Sequence, residues 1–156
     1  MAGYRHILAA VDLAPGEEDP VLGRAAALAR QYGARLSLLH VVEYVPPLDL
    51  AYDPVVPVGV DIENQLMDRA RAELDRRLGW LGVEGAQAFV EAGSPKRETV
   101  RFAQENGVDL IVVGTRGRHG LSLLLGSTAN GVLHHAPCDV LAVRIHDEAA
   151  DSAPGD

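Results

Sequence analysis

The sequence predicts an α/β domain of Rossmann-like type, an open parallel five-stranded sheet with helices on both faces. Three observations predict it. Short apolar, β-branched runs alternate with stretches of helical periodicity along most of the 156 residues. The runs are nearly continuous in apolar character, as strands covered on both faces are. The stretches between them are long enough for the crossover connections that parallel strands require. The length suits one domain with a real core and is short for two. The domain is read as residues 1–146, followed by an acidic, flexible tail over 147–156 that carries Pro154 and Gly155.

The first strand is read from Tyr4 to Asp12, with Asp12 at its carboxyl end. A loop marked by Pro15 and Gly16 leads to Pro20, which suits the first turn of a helix. Val21, Ala25, Leu28 and Tyr32 then recur at helical spacing, and Gly33 closes the element. Ala34 to Val42 reads as a second strand. Between Glu43 and Gly59, four prolines exclude a continuous helix or interior strand, and Tyr44 and Tyr52 stand in this excursion. Ile62, Leu66, Ala70, Leu74, Leu78 and Leu81 form an apolar helical stripe, with Glu73 and Arg77 as an i, i+4 pair. Gly85 to Glu91 reads as a third strand near one edge. Ser94 as N-cap and Pro95 open a helix that Gly107 ends. Asp109 to Val113 is the fourth strand, Ser127 is expected to cap a helix that stops before Pro137, and Cys138 to Arg144 is the fifth strand.

Composition excludes several classes. A formal net charge of −8 argues against sequence-independent nucleic-acid binding, which needs a basic face. The apolar start of the chain is cut short by Asp12, so neither a signal peptide nor a membrane span is read there, and a cytoplasmic location is expected. Cys138 is the only cysteine, which excludes an internal disulfide and reads as a buried thiol.

The segment from Gly114 to Ser127 carries the chemistry. It is a glycine-rich turn between a strand and a helix start, where backbone amides approach a ligand closely and lack internal acceptors. Such a place suits an anion, most often a phosphate. It is neither a Gly-x-Gly-x-x-Gly fingerprint nor a P-loop, because no lysine follows the glycines. Arg116, Arg118 and His119 make it locally positive, with no acidic residue between Gly114 and Ser127, and they are candidate phosphate contacts.

Ile7 to Asp12, the Gly114-x-x-Gly117 to Gly126-Ser127 loop, and Pro137 to Val143 together resemble the universal stress protein family, over about residues 3 to 145. The resemblance implies strand order 3-2-1-4-5 and, in the branch bearing the glycine motif, binding of ATP or of ADP or AMP. The loop holds eight residues between Gly117 and Gly126, one fewer than the common family form. Carried over, the resemblance gives Gly114 and Gly117 to the ribose and phosphates, and Gly126, Ser127 and Thr128 to the terminal phosphates. It gives Val41 to the adenine through its backbone, with Ala10 and Val113 as the floor. Asp12, an acceptor only, takes the adenine amine or a ribose hydroxyl, or holds nucleotide-bound Mg²⁺. A homodimer is implied through the apolar edge strand formed by Val140, Leu141, Ala142 and Val143.

A catalytic constellation is not legible. Ser122 lacks the nucleophile elbow, and His134 and His135 diverge on a helix and make no shared metal site, so slow ATP hydrolysis is the most expected of the chain. Two readings follow. The chain is an ATP-binding regulatory protein acting in stress response through nucleotide occupancy, dimerisation and an unidentified protein client, or a nucleotide-independent dimeric interaction module of the same fold.

Overall fold

A computed structural model describes residues 3–13, 19–43, 58–115 and 126–145. In chain order the elements are β1 (His6–Ala10), α1 (Pro20–Tyr32), β2 (Arg35–Val42), α2 (Val58–Leu81), β3 (Gln87–Ala92), α3 (Pro95–Asn106), β4 (Leu110–Gly114), α4 (Ser127–His135) and β5 (Asp139–Val143). All strand pairs are parallel and the sheet order is β3-β2-β1-β4-β5, as expected.

The two-residue period of each strand sorts its side chains between two cores. Ile7, Ala9 and Val11 join Leu36, Leu38 and Val112 against Leu22, Ala25 and Ala29 of α1 and Leu74 of α2. Leu8, Leu39, Val41, Ile111 and Val113 face the other way, against Phe102 and Ala103 of α3 and Ala129 and Val132 of α4. Each fully buried Leu or Ile of these layers is worth roughly 1.5–3 kcal/mol of transfer free energy, so the central strands are fixed in register from both sides.

Local signals hold at most helix ends. Pro20 takes the first turn of α1, and Gly33 and Gly107 close α1 and α3 in the left-handed region with φ of 63° and 64°. Asp19 caps α1 by accepting from Leu22 N–H at 3.1 Å, and its other carboxylate oxygen accepts from Arg77 at 2.8 Å, tying α1 to α2. Arg77 also pairs with Glu73 at 3.1 Å, the i, i+4 contact read from the sequence.

All five strands are shifted by one or two residues at one or both ends, and three boundary differences matter most. β1 is shorter than Tyr4 to Asp12, so Asp12 stands two residues past the strand rather than at its last position. The helix α2 reaches back to Val58 and takes in Gly59, because a proline excludes its own position and restrains the one before it, but not those that follow. The N-cap of α4 is Gly126, not Ser127, which is already helical. The reason is tertiary: Gly126 N–H donates to Thr115 O at 2.8 Å, which fixes where the chain enters the helix.

Cys138 is half-buried against the α3–α4 core, and its thiol pKa is raised first by burial and then by Asp109 and Asp139, which keeps it protonated and poorly reactive. Among the described residues no helix is long and apolar enough to cross a membrane. The expected tail falls at residues that the structure does not describe, as do Tyr44 and Tyr52.

Candidate functional site

In an open parallel sheet, ligands sit beyond the carboxyl ends of strands where successive connections leave in opposite directions. Here that place is between β1 and β4. The chain leaves β1 towards β2 on one side, whereas β4 lies on the other.

Register sets what stands at this rim. Ala10 pairs with Leu39 and Ala9 with Val112. Val11 N–H still donates to Leu39 O at 2.9 Å, so the β1–β2 ladder runs one residue past the strand. Continuing the same register by one more position brings Val41, Asp12 and Thr115 to one level across three adjacent strands. Val41 at that level and Ala10 and Val113 just below it lie on the face of the sheet that packs against α3 and α4. Asp12 is exposed.

Two features hold Asp12 in place that the sequence does not announce. The buried His40 holds the Val11 carbonyl through Nδ1 at 2.7 Å, on the α1–α2 side of the sheet. The residue after Asp12, Leu13, has φ of 56°, the only positive value outside glycine among the described residues. Such a conformation costs a non-glycine residue on the order of 1–2 kcal/mol. It is offset by packing of the Leu13 side chain on the α1–α2 core. Local strain of this kind clusters at functional sites.

The other wall is the start of α4. Thr115 N–H donates to Val143 O at 3.0 Å, and Thr115 O accepts from Gly126 N–H at 2.8 Å. Thr115 Oγ1 also accepts from Ile145 N–H at 3.1 Å. Thr115 thus closes the neck between β4 and α4 and joins it to β5. Gly126 has no side chain to cap the helix, and the first turn bond runs from Asn130 N–H to Gly126 O at 2.9 Å. The amides of Ser127, Thr128 and Ala129 precede that bond, which is the arrangement a helix offers to an anion. Ser127 is exposed and Thr128 half-buried at this start. Gly117, Arg116, Arg118 and His119 lie outside the described residues.

Gly114 has a second reason to be glycine. A Cβ there would meet Ile145 Cδ1 at 2.5 Å and Val21 Cγ2 at 3.2 Å, on the α1 side of the sheet and away from the apolar floor. The residue lets α1 and the chain after β5 close over β4. Among the described residues no group of three or more His, Cys, Asp and Glu side chains comes together to hold a metal. His134 and His135 are exposed, with ring centroids 6.5 Å apart and planes inclined by 58°.

The sequence pattern of the Universal stress protein family matches residues 3–144. The chain belongs to that family. Two curated universal stress proteins of Coxiella burnetii, the A homologs 2 and 1, are each 41% identical to it, covering 93% and 90% of this chain and 98% and 96% of their own lengths. Among solved structures, a universal stress protein from Lactobacillus plantarum superposes with a TM-score of 0.77 at 25% identity, covering 92% of this chain and all of that one. Another, a universal stress protein solved in complex with cAMP, superposes with a TM-score of 0.56 at 26% identity over 91% of this chain and 98% of its own. As a universal stress protein, the chain shares with these relatives an α/β fold that spans nearly its whole length.

Proposed function

We propose that this universal stress protein binds an adenine nucleotide, ATP or its relatives ADP and AMP, in the crevice beyond β1 and β4, and acts as a regulatory protein through that occupancy. The observation that carries the reading is the pairing of an apolar floor with an anion-accepting helix start. Ala10, Val41 and Val113 lie on one face, and the amides that open α4 are held beside β4 by the Thr115–Gly126 bond. A flat apolar base suits the floor, and phosphates suit the helix start. The relative in complex with cAMP supports adenine nucleotides as the ligand class.

Asp12 accepts from the adenine amine or a ribose hydroxyl, or serves as one carboxylate ligand of Mg²⁺. Mg²⁺ bound with nucleotides takes one or two carboxylates and completes its shell with phosphate oxygens and water, so a single carboxylate fits that role. The metal's contribution would be charge neutralisation of the phosphates. Arg116, Arg118 and His119 add positive charge to the same loop in a chain of net charge −8. The test is to acid-denature freshly purified protein and assay the supernatant for adenine nucleotide, then to titrate the stripped protein with MgATP. Absence of nucleotide in the first step and of heat in the second sinks the reading.

One observation favours the second reading, a nucleotide-independent dimeric module. Gly114 is accounted for by packing against Ile145 and Val21 alone, so its presence does not by itself require a ligand. In either reading the protein pairs with a second copy through β5, which lies at the sheet edge with Val140, Leu141 and Ala142 half-buried and Val143 buried. Leu141→Pro is expected to give monomers or insoluble protein by light scattering, and a soluble dimer refutes the interface.

A further inference from the structure

The face of the molecule covered by α3 and α4 carries a groove of about 310 Å³ lined by Lys96, Arg97, Val100, Arg101 and Gln104 of α3. Its other wall is Gly131 and His135 of α4. None of these residues is acidic, although the chain carries a formal net charge of −8. Arg101 is partly compensated, by Glu98 at 2.6 Å and Glu105 at 3.9 Å. Lys96 and Arg97 are exposed and make no ion pair with another described residue.

Their position makes them more telling. Both stand in the first turn of α3, where the helix dipole disfavours cations and adds its own positive potential. The helix dipole does not favour that placement, whereas an anionic partner gains from it. The groove is also shaped around one of the two. A Cβ at Gly131 would lie 2.8 Å from Lys96 Cδ and 3.0 Å from Lys96 Cβ, so the glycine in α4 makes room for the lysine stem to lie against it.

We propose that this groove docks an acidic, extended segment of a partner protein. Carboxylates match the guanidinium forks of Arg97 and Arg101 and the ammonium of Lys96. Val100 and the lysine stem offer an apolar patch for a neighbouring side chain. From Lys96 to Gln104 the helix advances about 12 Å, which an extended peptide covers in about four residues. The groove is too short for a polymeric nucleic-acid backbone, and the acidic remainder of the molecule opposes one. The inference stands apart from the crevice beyond β1 and β4 and does not depend on nucleotide binding there.

The test uses the full chain and a fluorescent peptide of Asp and Glu with one central Leu, followed by anisotropy at low and raised salt. The same peptide with Asn and Gln, and a single-stranded DNA oligonucleotide, serve as competitors. The acidic peptide is expected to bind, to weaken with salt, and to lose about tenfold or more in affinity in Lys96→Gln/Arg97→Gln. MgATP titration of that variant is expected to match the parent chain. Gly131→Ala tests the seat of Lys96: its Cβ would crowd the lysine stem, so peptide affinity is expected to fall while MgATP titration stays that of the parent chain. Absence of peptide binding, equal binding by the double variant, equal binding of the uncharged peptide, or preferential displacement by DNA each overturns the proposal.

Discussion

The two rims of the same sheet are built on different principles. At the amino rim, polar side chains tie neighbouring segments together. The Asp109 carboxylate accepts from Arg5 N–H at 2.9 Å and His6 N–H at 3.0 Å. His6 is buried between the Ser37 hydroxyl at 2.7 Å, the Asn106 carbonyl at 3.1 Å and the Arg35 guanidinium at 2.9 Å. Tyr4 donates to Asp139 at 2.9 Å and meets Tyr32 edge to face. Among the described residues, the carboxyl rim is held by backbone contacts, by Thr115 and by a His40 bond to the Val11 carbonyl. The helix start there has no side-chain cap, and Leu13 is strained.

That contrast predicts separable effects. Asp109→Ala should cost roughly 2 kcal/mol in denaturant unfolding, because it strands two backbone amides, and should leave MgATP affinity unchanged. Asp12→Ala should do the reverse. It should weaken ATP at least tenfold by titration calorimetry, about 1.4 kcal/mol, with a smaller loss of stability than Asp109→Ala. If both variants lose stability and neither loses affinity, the division between the rims is wrong.

Gly114→Ala sharpens the comparison, because that glycine belongs to both accounts. The crowding against Ile145 and Val21 should cost about 1–3 kcal/mol of stability, and Ile145→Ala in the same chain should recover part of it. If ATP affinity recovers with stability, Gly114 acts through packing. If affinity stays at least tenfold down, the backbone there meets the ligand.

The smallest effect is the pH dependence of the amino rim. Burial, the largest cause, holds His6 below its usual pKa of 6.5, with Arg35 lowering it further while the Asn106 carbonyl and Asp109 act to raise it. A depressed folded pKa means that this contribution is complete above the unfolded value and fades as pH falls below it. His6→Gln should therefore flatten the stability curve on the acid side of that value. An unchanged slope removes His6 as its source.

Much of the fold was legible because local rules and tertiary packing agree. Proline and glycine marked both ends of α1 and α3, and the Ile62-to-Leu81 stripe marked α2. Ala10 and Val113 were nameable from the resemblance as an expected floor and Val41 as a backbone contact, and the three residues share one face of the sheet. Other features carried no local signal. Ser127 looks like a cap by composition, yet the Thr115–Gly126 bond moves the helix start by one residue. His40 reads as one polar residue in an apolar strand, and only its contact with Val11 shows what it fixes. The positive φ of Leu13 is invisible in sequence, because leucine does not favour it.

By itself the sequence determined the alternation of strands and helices, the parallel sheet and the family resemblance, since periodicity and turn chemistry are encoded within a few neighbouring residues. Only the tertiary structure showed how the end of β4 is packed. It showed that the missing Cβ of Gly114 makes room for Ile145 and Val21, and that Thr115 closes the neck of the loop. Both depend on contacts with α1 and with the chain after β5, segments far apart in sequence, whose approach is set by burial of the two core layers and not by any local rule.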